Sequence, residues 1–191
     1  MKKVCSIVLF VCLFCFGCAT KQIIGDSTRI DMYVMIYDYE NNGLQNVSVY
    51  INNELVGRTD IYGRYLLALK EGKDYTIRIK KNDYEVMEKE FTFDPMYVMY
   101  FQIGNAAQIL HLAEEAMDDA SYEDVLVLVD RVLKLDNSRI DALYLKSIAY
   151  YKLNQHDEAL DVLKKLVPLV KNGDTIYDLE KHLQTTSTVS H

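Results

Sequence analysis

Hydrophobic and polar residues alternate with a period of two between Ile30 and about Ile103. Such alternation places every second side chain on the same side of an extended chain, so each run predicts a β-strand with one apolar face. The clearest runs cover residues 32–37, 47–51 and 75–79. Segments rich in Asn, Asp and Gly separate the runs at intervals of about ten residues, which predicts about seven antiparallel strands in a β-sandwich.

One of these turns carries a motif, Gly57-Arg-Thr-Asp60-Ile-Tyr-Gly63-Arg-Tyr65. The Asp60 carboxylate can accept hydrogen bonds from N–H groups of the turn, and Gly63 can adopt the positive φ that a residue with a Cβ resists. The hairpin resembles the carboxypeptidase regulatory-like domain, a prealbumin-like fold. The resemblance implies a seven-strand β-sandwich over residues 30–103 that serves as a spacer or a binding module, with Asp60 and Gly63 as structural turn residues. It does not imply the peptidase reaction.

From Asn105 onward apolar residues recur at helical spacing, and the chain repeats itself. The sequence of residues 122–133 aligns with that of residues 156–167. The offset between the two segments matches the length of a tetratricopeptide repeat, which is about 34 residues. The segment from Asp141 to Leu160 resembles that family most closely.

This second resemblance implies a helical module over residues 105–184. It contains two repeats, at about 106–139 and 140–173, and an amphipathic capping helix at its end. Residues 185–191 are predicted to be a disordered polar tail. The predicted fold class is therefore α+β with two domains: an N-terminal antiparallel seven-strand β-sandwich and a C-terminal α-α tetratricopeptide-like helical repeat.

The N-terminus has the pattern of a bacterial export signal, with two lysines followed by an uncharged apolar run from Val4 to Phe16. The segment Phe14-Cys15-Phe16-Gly17-Cys18 resembles the lipobox of bacterial lipoproteins, in which a small residue precedes the cysteine that is lipidated. The resemblance implies a signal peptide over residues 1–17, lipidation of Cys18 and a lipid-anchored tether over residues 18–29. Cleavage near Ala19 without lipidation and an uncleaved N-terminal anchor are the alternatives.

These features predict a location in the bacterial cell envelope, attached to a membrane by the lipid, at the outer membrane or facing the periplasm. All four cysteines lie between Met1 and Cys18, so a disulfide framework is excluded. The net charge is −7 and no basic run exceeds two residues, which argues against nucleic acid as a partner.

Residues typical of catalysis or of metal binding do not cluster in the sequence. The four histidines are isolated from one another, and no glycine-rich phosphate loop is present. The acidic stretch between Glu114 and Asp124 lacks the spacing of a calcium loop, which favours a solvated helix face over a Ca²⁺ site. The sequence therefore predicts no catalytic residue, no metal and no cofactor, and a protein that is not an enzyme.

The remaining candidates are binding surfaces. Tetratricopeptide repeats bind peptides or proteins in a groove lined by the first helix of each unit, so the resemblance predicts a non-catalytic scaffold for an unidentified envelope protein or peptide. Its implied groove residues are Leu110, Glu114, Met117, Asp141, Tyr144, Ile148, Tyr151 and Lys152. Tyr144, Tyr151 and Lys152 are the expected anchors, whereas Met117 and Ile148 could instead pack inside the protein.

The large number of tyrosines supports an alternative function. The chain has 15 tyrosines, ten of them between residues 30 and 103. Exposed tyrosines could stack on sugars of the cell wall, which would make the β-sandwich a carbohydrate- or peptidoglycan-binding module. Half-buried tyrosines that only fill space on a strand are the competing interpretation.

Overall fold

The computed structural model describes residues 28–96, 98–170 and 181. The predicted signal peptide, the lipidation site Cys18, nearly all of the tether and the polar tail lie outside these residues, as does the predicted capping helix apart from Lys181. Within the described part of the chain, no helix combines the length and the hydrophobicity that crossing a bilayer requires.

The strands of the described region belong to two sheets. They are β1 (Arg29–Tyr37), β2 (Ser48–Ile51), β3 (Glu54–Arg58), β4 (Arg64–Lys70), β5 (Asp74–Lys80), β6 (Met87–Thr92) and β7 (Met99–Gln102). The first sheet has the order β4-β1-β7 and the second the order β3-β2-β5-β6. In the first sheet β1 is antiparallel to β4 but parallel to β7, whereas all pairs in the second sheet are antiparallel.

The inward faces of both sheets share one hydrophobic core. Because side chains alternate along a strand, Val34 and Ile36 of β1 point inward together, as do Ile77 and Ile79 of β5. All four are almost fully buried and belong to a single cluster that also contains Phe93. The outward positions of the same strands are left to solvent, and they form the surfaces considered below.

Four helices follow in the described residues: α1 (Ala106–Asp118), α2 (Tyr122–Leu135), α3 (Ile140–Lys152) and α4 (His156–Leu166), with a short 3₁₀ turn at Val167–Leu169. Asn105 begins α1 with a capping box, in which its side chain accepts hydrogen bonds from the N–H groups of Ala107 and Gln108. The first three helices bury one apolar cluster and the last two bury another.

The predicted fold class is wrong. The structure is a small α+β protein whose described part contains a three-stranded sheet, a four-stranded sheet and four helices, and it is not an antiparallel seven-strand sandwich followed by a tetratricopeptide repeat. The first sheet is mixed because β7 joins it parallel to β1. Alternating hydrophobicity indicates which face of a strand is buried, but it specifies neither the neighbouring strand nor its direction.

The helical prediction fails for a related reason. A repeat array buries a continuous core along its stacked units, whereas here the buried side chains of the helices fall into two clusters, and Tyr39 from the end of β1 packs into the first of them. The two similar segments begin at Tyr122 and His156, which are the first residues of α2 and α4. The repeated sequence pattern therefore arises from two helix pairs of similar length, and both pairs belong to a single α+β structure.

A partly buried polar network joins the sheets to the helices. Arg131 on α2 donates through Nε to Glu85 Oε2 at 3.0 Å and through Nη2 to Glu85 Oε1 at 2.8 Å, and Nη2 also donates to the Tyr39 hydroxyl. The Tyr39 hydroxyl and the Gly104 N–H both donate to Glu85 Oε1, at 2.7 Å and 2.9 Å. Burial raises the pKa of Glu85, but the hydrogen bonds from Arg131, Gly104 and Tyr39 outweigh it, and the net pKa is lowered.

The turn after β3 is held by the carboxylate of Asp60. Its Oδ1 accepts hydrogen bonds from the N–H groups of Tyr62 and Arg64, both at 2.9 Å, and its Oδ2 accepts two more from the Arg64 guanidinium. The backbone hydrogen bond from Arg64 is the largest cause of the lowered pKa of Asp60. Gly63 has a φ of +75° and its carbonyl accepts a hydrogen bond from the N–H of Ile36 at 2.8 Å, so the turn is fastened to β1.

Candidate binding cleft

The structure uses most apolar residues of the predicted groove for helix packing. Leu110 is buried, and Met117 packs against the same cluster of α1, α2 and α3. Tyr144 and Tyr151 pack instead against the cluster shared by α3 and α4, where the Tyr151 ring lies 5.5 Å from that of His156.

The other predicted groove residues contribute little continuous surface. Ile148 is half-buried, whereas Glu114, Asp141 and Lys152 are exposed. Asp141 accepts a hydrogen bond from Arg139 Nε at 3.0 Å. The structure therefore brings Tyr144 and Tyr151 together, but it places them in a different cluster from Leu110 and Met117.

A polar cleft of about 890 Å³ lies elsewhere, between the outward face of the second sheet and the beginning of α1. Four parts of the chain supply its charged side chains: β3, β5, the loop that follows β5, and the loop between α2 and α3. The lining contains one acidic residue, Asp83. It contains four cations, which are Arg58, Lys80, Lys81 and Arg139.

Strand register sets the centre of the cleft. Ser48 on β2 lies directly opposite Arg58 on β3 and directly opposite Lys80 on β5. Neighbouring strands are about 4.8 Å apart, so the backbones of the two cations are about 10 Å apart with the Ser48 hydroxyl between them. All three side chains point outward because Val49, the next residue on β2, is buried in the core.

The two central cations differ from those at the rim. Within the described residues neither Arg58 nor Lys80 forms a salt bridge. At the rim, Lys81 Nζ donates to the carbonyl oxygen of Gln45 at 2.8 Å, and Arg139 is hydrogen-bonded to Asp141, which raises the pKa of Arg139. The rim cations are thus held in place, whereas the central pair is available to bind a ligand.

Two tyrosines of the cleft are already in contact with cations. The guanidinium carbon of Arg78 lies 4.9 Å from the ring centroid of Tyr50, and Lys81 Nζ lies 5.7 Å from that of Tyr84. A cation over a ring occupies one of its faces. The first N–H groups of α1 are likewise occupied by Asn105, so the positive character of the cleft comes from side chains and not from the helix terminus.

The cleft suits an anionic ligand. The whole chain has a net charge of −7, yet four cations face this one concave surface. Cations that are held close together and outnumber the neighbouring anions repel one another, and a bound anion relieves that repulsion. Among the described residues, no group of three His, Cys, Asp or Glu side chains is arranged to hold a metal ion.

Sequence reasoning missed this site because its residues are dispersed along the chain. Arg58 and Lys80 are separated by the whole of β4 and most of β5, and Arg139 lies in the loop between α2 and α3. The pairing of β3, β2 and β5 brings the first two together. The sequence carried a signal for Lys80 alone, which continues the outward positions of the alternating run at 75–79, whereas β3, which carries Arg58, does not alternate.

Comparisons with known proteins add no assignment. No family model matches this chain, and no curated protein matches it.

Proposed function

We propose that the protein is a non-catalytic binding protein of the bacterial cell envelope, anchored by a lipid on Cys18, and that the cleft holds an acidic segment of a partner protein. The observation that carries the proposal is the placement of Arg58 and Lys80 on either side of Ser48, neither of them in a salt bridge within the described residues, in a concave surface of an otherwise acidic chain. The Gly17-Cys18 junction supports the anchor.

The geometry favours an extended acidic peptide. Along an extended chain, residues i and i+2 point to the same side and lie about 7 Å apart. Two carboxylates at that spacing fit two cations whose backbones are about 10 Å apart and whose side chains are long enough to converge. Hydrogen bonds between ionised partners are about twice as strong as neutral ones, so this pair of contacts would dominate the affinity.

Reversing both central charges tests the proposal. We expect Arg58→Glu with Lys80→Glu to weaken binding of a peptide that alternates Glu and Ser at least 30-fold, because each lost charge-assisted hydrogen bond costs about 1.5–3 kcal/mol. Fluorescence anisotropy of the labelled peptide at low and at physiological salt measures the effect. Binding to the native protein should weaken as salt rises.

Lys134→Glu with Lys165→Glu is the matched control. Both lysines are exposed on helices and are not part of the cleft, so the control changes the net charge equally. It should bind the peptide within about threefold of the native protein. If the two double variants bind equally well, the cleft is not the binding site.

A second candidate function, binding of a cell-wall glycan, is favoured by one separate observation. On the outward face of the first sheet the rings of Tyr37 and Tyr100 stack with centroids 5.3 Å apart, beside the exposed side chains of Tyr33 and Leu66. Exposed aromatic and aliphatic side chains on one face of a sheet often mark an interaction surface, and flat rings suit the apolar faces of sugars.

Two substitutions of Tyr100 test the glycan-binding candidate. If the face binds glycan, Tyr100→Leu should reduce retention on isolated peptidoglycan roughly 3- to 10-fold, because an aromatic contact is worth about 0.5–1.5 kcal/mol. Tyr100→Phe keeps the ring and should bind like the native protein. A co-sedimentation assay measures both variants, and equal retention of the leucine and phenylalanine variants would exclude the face as a glycan platform.

A further inference from the structure

The loop between β6 and β7 exposes apolar side chains. Met96 is 87% exposed and Val98 is 68% exposed, the two highest values among the large hydrophobic residues of the described chain. Pro95 precedes them and is also exposed. Behind Val98 lies a cavity of about 430 Å³ between the edges of β6 and β7, lined largely by apolar side chains that include Phe91, Phe93 and Met99.

Hydrogen bonds locate this loop at the end of the molecule where β1 begins. Phe93, just before the loop, accepts from the N–H of Gly72 at 2.9 Å and donates to the carbonyl of Lys73 at 2.8 Å. The turn at Gly72 directly follows Lys70, which pairs with Arg29 in the first sheet. The exposed loop and the beginning of β1 are therefore neighbours.

We infer that this end of the protein contacts the lipid bilayer, with Met96 and Val98 inserted at the level of the head groups. The inference rests on the proposed lipid at Cys18. Thr28, the first described residue, is ten residues after Cys18, and a fully extended chain of that length spans at most about 35 Å. The anchor therefore keeps the beginning of β1 within that distance of the membrane, so the loop beside it can reach the bilayer surface.

The charges at this end point to apolar insertion as the main contribution. Arg29, Lys70 and Lys73 are accompanied by Glu71, Asp74 and Asp94, so cations and anions balance. Met96 and Val98 expose more of their side chains than the other large hydrophobic residues of the described chain, and Met and Val side chains partition readily into a lipid interface. Unlike the cleft, this surface should engage uncharged lipids and should be insensitive to salt.

A single-cysteine probe tests the contact in the full chain. All four native cysteines lie between Met1 and Cys18, so lipidated and processed Met96→Cys carries one free thiol. The thiol is labelled with an environment-sensitive fluorophore, and the protein is placed in phosphatidylcholine vesicles that contain lipids with a brominated acyl chain. We expect the bromine atoms to quench the Met96 probe at least threefold more strongly than the control, at low and at high salt.

Ile61→Cys is the matched control. Ile61 is 62% exposed, and its turn is fastened to the other end of β1 through the hydrogen bond between Ile36 and Gly63. Equal, weak quenching at the two positions overturns the inference. Labelling with a radioactive fatty acid separates the two proposals. A chain without label at Cys18 contradicts the anchor. The Met96 probe, in a chain whose four native cysteines are replaced by serine, is then mixed with vesicles and decides the contact, since quenching supports it and its absence overturns it.

Discussion

Replacing Gly63 with valine is expected to lower the free energy of unfolding by roughly 3–5 kcal/mol, because the substitution combines backbone strain of about 1–3 kcal/mol with the loss of hydrogen bonds worth about 1 kcal/mol each. Gly63 has a φ of +75°, and a Cβ there would lie 2.2 Å from the carbonyl oxygen of Ile36 and 2.8 Å from the backbone nitrogen of Leu44. These atoms cannot move aside independently, because the N–H of Leu44 donates to that carbonyl at 2.9 Å. Urea denaturation followed by circular dichroism measures the change.

Gly72→Val separates the two contributions. Gly72 also has a positive φ, +67°, but no atom lies within 4 Å of the Cβ that a side chain would add. Only the cost of the left-handed conformation remains, about 1–2 kcal/mol. If both variants lose the same stability, the close contact with Ile36 and Leu44 contributes nothing and the turn can relax around a side chain.

Arg131→Met is the second change with a large expected effect. It keeps most of the side-chain stem but removes the guanidinium that donates to Glu85 and Tyr39. The side chains of Arg131 and Glu85 are 29% and 16% exposed, so the carboxylate left behind is only partly hydrated. Breaking a fully buried pair costs about 3–5 kcal/mol, and partial exposure reduces the expected loss to about 2–3 kcal/mol. Lys134→Met, an exposed position on the same helix, should change stability by less than about 0.5 kcal/mol.

The same pair predicts a pH dependence. Because the folded-state pKa of Glu85 is lowered below its ordinary value of 4.5, its carboxylate stabilises the fold above the unfolded-state pKa, and that stability is lost as the pH falls through the folded-state pKa. Other carboxylates with lowered pKa values, such as Asp38, are common to both proteins and cancel in the comparison. The difference in free energy of unfolding between native protein and Arg131→Met should therefore be smaller at pH 3 than at pH 7. A constant difference would show that the charge of Glu85 is not responsible.

The sequence predicted where strands lie better than how they pair. The alternating runs at 32–37 and 75–79 lie within β1 and β5, because a strand with one buried face must alternate. β6, by contrast, has the sequence Met-Glu-Lys-Glu-Phe-Thr, which carries little apolar signal because it is an edge strand with mostly exposed side chains. The parallel pairing of β7 with β1 depends on the path of the chain between the sheets, and no local pattern encodes that path.

The candidate site shows the same limit more sharply. Tyr144 and Tyr151 occupy one side of a helix, as their spacing of seven residues predicts, but spacing does not indicate whether that side meets solvent or α4. In the structure it packs against α4. Nothing local in the sequence pairs Arg58 with Lys80, and only the register of three strands places them on either side of Ser48. Composition even argued against a basic surface, because the net charge of −7 averages over the whole chain.

The parallel pairing of β1 with β7 has a kinetic consequence. β1 is the central strand of its sheet, yet its partners come late in the chain, since Arg29 pairs with Lys70 and Val34 pairs with Met99. The conformational entropy of such long loops is lost before the contacts between the strands can stabilise the chain, so pairing of this kind is slow. The helices depend on local contacts and can form within about a microsecond of their synthesis. Until β7 has emerged, one edge of β1 exposes unpaired N–H and C=O groups, which makes the incomplete chain prone to aggregation at that strand.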